Sequence, residues 1–283
     1  MLTKKQLAQY VCIVSAVFLI SVGAAYWCGE YTARVPILMY HDLVEDGGSS
    51  STISVAAFES HIKALSEAGY SAISFNELYD YAVNGVSLPE RCVMITFDDG
   101  YMSVYESAFP ILKKYDMKAT AFVIGVYHGA SVYKEKSYLP IDPRFGDDEA
   151  SIMAQSGVFS IQSHSYDMHQ FIPYETDSPR VGVLQKKNES RAEYIEAFNT
   201  DFSLSARQIE NAVGERPFVY SYPFGRCTRL TEKLLKDLGV FVTVTISARI
   251  NTVVKGSPGS LFRLGRLNVP GNTTPSELLA MIK

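Results

Sequence analysis

Two aspartates stand side by side at Asp98 and Asp99, behind the apolar run Val93-Met94-Ile95 and just ahead of Gly100. On an extended strand their side chains would point to opposite faces. A glycine-aided turn at a strand end can instead aim both into one pocket. Two carboxylates that close repel each other unless a cation or a shared proton separates them. His164 and His169 supply complementary groups, five positions apart in Ser163-His164-Ser165-Tyr166-Asp167-Met168-His169. That spacing is wrong for one helix face, so a curled loop must bring both rings to one ion. Asp99, His164 and His169 then form a two-imidazole, one-carboxylate set that suits zinc with positions left open for water. Such an ion polarises a carbonyl and lowers the pKa of its water, leaving Asp98 free to take a proton from that water.

The elements that must position these groups alternate between strand and helix. Apolar runs at 35–40, 72–75, 93–97, 119–124, 158–162, 218–221, 240–246 and 264–269 read as strands. Helical spacing marks 55–68 (Phe58, Ile62, Leu65, with Gly69 as the stop), a helix capped by Asn76, 103–115, 149–155, 191–213 with Gly214 as the stop, 230–238, and a last helix capped by Thr274. Long loops at 125–148 and 171–188 interrupt the pattern, and loops of that length in a compact domain usually shape a binding site. Strand–helix alternation predicts parallel pairing. The expected fold is therefore α/β, a (β/α) barrel of seven or eight strands, regular or distorted. Barrels of this kind carry their chemistry where strands end and loops begin. His41, Asp98, Asp99, His164 and the turn after Ser221 all fall at such ends.

A chain of 283 residues with 47% hydrophobic and 12% aromatic content can bury one large core. A net charge of -4 offers no basic face for nucleic acid. Lys4 and Lys5 precede a run from about 10 to 28 without a charged side chain, long enough to span a bilayer, and Glu30 follows. The expectation is a signal anchor or transmembrane segment over 1–30. It holds a catalytic domain, 31–283, outside the cytoplasm. A cleavable signal peptide is the alternative, with small residues at Gly23-Ala24-Ala25. Of four cysteines, Cys12 and Cys28 belong to this run, while Cys92 and Cys227 are left in the domain without a CxxC pair for structural zinc.

Thr96-Phe97-Asp98-Asp99-Gly100 followed by the two histidines resembles the polysaccharide deacetylases of the NodB homology type, carbohydrate esterase family 4. The resemblance implies Asp98 as catalytic base and Asp99, His164 and His169 as ligands of a divalent metal, zinc first, with cobalt or nickel as alternatives. The family's histidines usually stand four apart. The spacing of five is similar to the poly-β-1,6-N-acetylglucosamine deacetylase branch, which also carries its general-acid histidine on the first strand of a permuted barrel. Leu38-Met39-Tyr40-His41 therefore implies His41 as the acid that protonates the leaving amine. Ser221-Tyr222-Pro223-Phe224-Gly225 resembles the third motif, implying the Phe224 backbone N–H as an oxyanion donor. That motif normally begins with arginine. That arginine is absent here, which leaves open what orients Asp98; Arg266, on the last strand, is offered as a stand-in. Tyr101 and Tyr222, with Tyr166, Phe171 and Tyr174, could form a sugar-stacking face, the family's groove tryptophan being absent. His61 reads as a surface residue and His128 as a solvated loop residue.

The implied reaction is hydrolytic deacetylation of N-acetylglucosamine units in an extracellular or cell-wall polysaccharide. Two other readings stay open: a related deacetylase or esterase acting on peptidoglycan or acetylated xylan, and a membrane-anchored carbohydrate-binding protein with a decayed site.

Overall fold

Seven parallel strands follow one another around a closed sheet in a computed structural model that describes residues 13–15, 17, 31–134, 136–170, 175 and 179–283. They are β1 (Ile37–Tyr40), β2 (Cys92–Phe97), β3 (Ala119–Val123), β4 (Phe159–Ser163), β5 (Val219–Ser221), β6 (Val242–Val244) and β7 (Leu267–Asn268). Each pairs with the next through β6, and β7 returns to β1 with Leu267 opposite Leu38. The seam between β6 and β7 is closed by only a few backbone bonds. Leu264 N–H donates to the Thr243 carbonyl at 2.9 Å, Thr245 N–H to Leu264 at 2.8 Å and Arg266 N–H to Ser247 at 3.1 Å. The result is the (β/α) barrel, with seven strands. The short strand Ser71–Ala72 pairs with the start of β2, outside the ring. At the other end of β1, Thr32–Val35 pairs antiparallel with Asn251–Val254.

The helices are α1 (Val55–Glu67), α2 (Phe75–Asn84), α3 (Phe109–Lys114), α4 (Asp147–Gln155), α5 (Arg191–Val213), α6 (Arg229–Asp237) and α7 (Pro275–Met281). Their starts are written in side chains. Ser190 with Glu193 and Thr274 with Glu277 form reciprocal capping boxes. The cap of α2 is Ser74 paired with Glu77 rather than the expected Asn76, because only Ser74 stands three residues ahead of a glutamate. The helix expected over 103–115 is broken into a π-turn, Val104–Ala108, followed by α3. Pro110 has no N–H to give to the Glu106 carbonyl, so the ladder changes register there.

Alternation along the strands sorts the core. Leu38, Tyr40, Val93, Ile95, Phe97, Ala121 and Ile161 pack outward beneath α1, α3 and α4. Intervening positions such as Ile37, Met94 and Phe122 fall in a separate cluster with Val242, Val244 and Leu264. A third cluster lies under α5 and α6, where Phe198, Phe202 and Leu235 meet Tyr220 and Tyr222. Fully burying one such large apolar side chain stabilises a fold by about 1.5–3 kcal/mol.

The expected segment over 1–30 lies almost wholly outside the described residues. Among the described residues, no helix is long and apolar enough to cross a membrane. Cys92 and Cys227 are both free thiols.

Candidate active site

Strand parity decides which way Asp98 faces. Phe97 packs outward against Tyr40 and Phe58, so Thr96 and Asp98 turn to the inner side. Asp98 N–H still donates to the Tyr40 carbonyl at 3.0 Å, continuing the ladder with β1. The chain then leaves the strand abruptly, with Asp99 and Gly100 both at φ 72°. Asp tolerates that left-handed conformation better than most residues. At Gly100 a Cβ would come within 3.2 Å of Val123. The turn puts both carboxylates into one buried pocket, Asp98 at 3% and Asp99 at 7% exposure.

Arg266, fully buried, reaches across the barrel from the residue preceding β7. Its Nη1 and Nη2 donate to Asp98 Oδ1 and Oδ2 at 2.6 and 2.7 Å, a bidentate pair. The guanidinium is itself held by the Thr245 carbonyl at 3.1 Å and Ser221 Oγ at 3.0 Å. Burial alone would raise the Asp98 pKa, but Arg266, and after it His164, hold the carboxyl well below the usual range. Asp98 is therefore ionised and fixed in orientation.

Asp99 has the opposite surroundings. Its Oδ1 is buried and accepts no hydrogen bond. His164 Nε2 stands 3.6 Å from it and His169 Nε2 3.7 Å, too far for hydrogen bonds. One ligand atom from each of the three residues lies within 4.8 Å of the others. Ligands at about 2.0–2.2 Å from a tetrahedral ion stand roughly 3.4 Å apart, so the cluster has the dimensions to hold one metal ion. The tautomer agrees. His164 Nδ1 lies 2.8 Å from the Ser221 carbonyl, which can only accept, so the proton is on Nδ1 and the Nε2 lone pair faces Asp99. Burial takes the His164 pKa down to about 4, leaving a neutral ring. The His169 ring packs on Phe224 with centroids 4.2 Å apart. Phe224 itself sits at φ 55° in the turn after β5.

The other candidates divide. His41 follows Tyr40, which is in register with Phe97, and so stands beside Asp98. Its Nδ1 is buried without a hydrogen-bond partner. Tyr101 is half-buried, with the Arg144 guanidinium 3.5 Å over its ring. Tyr222 does not belong to a sugar-facing surface. It shares the outward parity of Tyr220, is fully buried in the α5–α6 cluster, and its hydroxyl donates to Glu232. His61 is likewise buried rather than superficial, its Nε2 bonded to the Thr273 carbonyl at 2.7 Å and its Nδ1 to the Tyr40 hydroxyl at 3.2 Å. His128 is shielded too, with a 6% exposed side chain 2.8 Å from Asp147. Tyr166 is half-buried, while Phe171 and Tyr174 lie outside the described residues. Two polar residues near the site had no signal in the sequence. One is Arg144, 5% exposed; the other is Asp201, described below.

Fold and site together define a (β/α)-barrel protein with a cation-sized cup set beside a locked carboxylate. Residues 85–243 match the family model described as Polysaccharide deacetylase, and the chain belongs to that family. It is 32% identical over 216 residues to the protein YxkH of Bacillus subtilis (strain 168), covering 76% of this chain and 66% of that one. It is 24% identical over 232 residues to the poly-beta-1,6-N-acetyl-D-glucosamine N-deacetylase of Escherichia coli (strain K12), covering 75% of this chain but only 34% of that enzyme. Among solved structures, a de-N-acetylase from Aggregatibacter actinomycetemcomitans superposes with a TM-score of 0.74 at 26% identity, over 88% of this chain and 100% of that one.

Proposed function

We propose that this protein hydrolyses the N-acetyl group of N-acetylglucosamine units in an extracellular or cell-wall polysaccharide, a β-1,6-linked polymer being favoured. One observation carries the reading: the buried Asp99, His164 and His169 converge beside an ionised Asp98 and the unpartnered Nδ1 of His41. The likeness to the Escherichia coli enzyme supports the choice of polymer. A divalent cation held by Asp99, His164 and His169, zinc by the donor set, supplies Lewis acidity that polarises the acetyl carbonyl and acidifies water.

The chain's own residues do the rest. Asp98 receives the proton of the attacking water, and its depressed pKa keeps it in the accepting form above the acid range. Arg266 holds both carboxylate oxygens, so Asp98 cannot swing toward His164 Nε2, 3.8 Å away. The backbone N–H of Phe224 donates to the oxyanion of the tetrahedral intermediate. His41 gives a proton to the nitrogen as the C–N bond breaks, releasing acetate and a free amine. Tyr101, steadied by Arg144, flanks the sugar. The Arg266–Asp98 pair speaks against a decayed carbohydrate-binding site, since an orienting arginine is supplied by the segment leading into β7. The uncharged run at 10–28 anchors the catalytic domain, 31–283, on the outer side of the membrane.

The test is acetate release from β-1,6-linked N-acetylglucosamine oligomers, chitin oligomers, peptidoglycan and acetylated xylan, with and without chelator. The expected result is release from the β-1,6 oligomers, abolished by chelator and restored by zinc. Zinc binding without acetate release from any substrate overturns it in favour of the binding protein.

A further inference from the structure

The segment that carries both histidines has no regular secondary structure of its own to hold it. Residues 164–169 form an irregular turn, with Ser165 at φ 83° and Met168 N–H donating back to Ser165 Oγ at 3.1 Å. Its support comes from α5, and from a polar stripe on the buried face of that otherwise amphipathic helix. Asp201, Ser205 and Gln208 stand at the i, i+4 and i+7 positions of one helix face. Ser205 Oγ lies 2.8 Å from Ser163 Oγ, which accepts Ser165 N–H at 3.2 Å. Gln208 Nε2 donates to the Gly125 carbonyl at 3.3 Å, and Gly125 N–H donates to the Ser165 carbonyl at 3.0 Å.

The strongest of these contacts belongs to Asp201. Its Oδ2 accepts Tyr166 N–H at 2.9 Å and its Oδ1 accepts Asp167 N–H at 2.6 Å. Both carboxylate oxygens are spent on two consecutive backbone amides midway between the two histidines. Asp201 is only 8% exposed, on the buried side of a helix that also presents Phe198, Phe202 and Ala206 to the core. A buried carboxylate is costly to desolvate, and a helix needs none at that position for packing. A second tie runs from Asp167 to Lys134 Nζ at 2.7 Å.

The geometry points to Asp201 as a positioning residue of the metal cup, an inference that rests on the metal-dependent reading above. By clamping the amides of 166 and 167, it sets the curl that returns His169 Nε2 to within 3.7 Å of Asp99. His164 is held independently, through Ser221. Loss of Asp201 therefore releases one ligand of three rather than the whole cup. Only a carboxylate offers two acceptors to two neighbouring amides. Asn at this position keeps one and turns an N–H donor against the other amide.

The test uses the full-length protein in mild detergent, stripped of metal. Zinc affinity is measured by competition with a chromophoric chelator, and the ligand field by the visible spectrum of the cobalt-substituted protein. Asp201→Asn, nearly isosteric, and Asp201→Ala are expected to bind zinc 10–100-fold more weakly, the range typical for partners that orient metal ligands, and to change the cobalt bands. Phe198→Leu, on the same helix, is the stability control: it lowers the melting temperature while zinc affinity and cobalt spectrum stay as in wild type. Should Asp201→Ala not fold, Asp201→Asn carries the test alone. Zinc affinity within threefold of wild type with an unchanged cobalt spectrum overturns the role of Asp201. A wild-type protein that binds no zinc overturns the metal-dependent reading itself, which separates the two failures.

Discussion

Asp98 and Asp99 share a peptide bond and almost nothing else. On the Asp98 side every polar atom of the carboxylate is answered: two guanidinium nitrogens grip it, and the guanidinium is gripped in turn by Thr245 and Ser221. On the Asp99 side a carboxylate oxygen is buried with no donor, facing two imidazoles across gaps near 3.6 Å. Most buried polar groups in folded chains find a partner, and an unpartnered carboxylate oxygen beside two imidazoles is placed to meet a cation. The difference teaches which carboxylate works alone and which waits for a partner: satisfied groups hold a charge in place, and unsatisfied ones convergent on a point are built to receive one.

That contrast can be broken most decisively at Asp98. Asp98→Asn should lower acetate release by about 10²–10⁴-fold, the usual worth of a positioned base, while zinc affinity measured by chelator competition stays within threefold. Equal losses of both would erase the division of labour. Next in size is Arg266→Gln, which leaves a buried charge without its counterion. Destabilisation of about 3–5 kcal/mol is expected in urea unfolding, and Arg266→Lys should recover only part of it because an ammonium cannot make the bidentate pair.

Asp99→Asn should have a milder effect on the metal-free protein. Burial opposes the Asp99 charge, but His169 and His164 hold its carboxyl below the usual range, so removing the charge is expected to lower stability by about 1 kcal/mol at neutral pH, or a few degrees in melting temperature for a chain of this size. The same change should abolish the stabilisation that zinc gives the wild type, about 2.7 kcal/mol at a hundredfold excess over Kd. Differential scanning calorimetry with and without zinc reads both.

The smallest effect separates scaffold from site. His61 and His164 are both held neutral by burial, their folded pKa values below the unfolded 6.5. Unfolding therefore takes up protons as pH falls below 6.5. Stability of the metal-free protein should be fully present above that pH and drain away toward pH 4, the value to which His164 is shifted. His61→Gln should flatten part of this slope and leave the rest, as read from urea midpoints between pH 8 and 4.5.

Much of this is legible in the amino-acid sequence alone. The strand–glycine context of the double aspartate, the histidine pair, and strand-end placement together yield the barrel and the cup, because parity and turn chemistry are local. Arg266 is no more than a stand-in at the level of sequence, since a partner 168 positions from Asp98 leaves no local trace. Tyr222 lies in a turn motif that suggests a site residue, yet strand parity with Tyr220 sends its ring outward. His61 differs from the expected surface residue for a similar reason: it lies beside Ile62 and three residues after Phe58, within the buried stripe of α1 rather than off it. Asp201 had no signal, because a carboxylate on an amphipathic helix looks like any solvated residue until the loop it serves is seen.

The seam that completes the barrel also carries the counterion of Asp98. Arg266 belongs to the segment that docks between β6 and β1. Opening that seam would strip Asp98 of both its guanidinium donors, so ring closure and the fixing of the base are one and the same event.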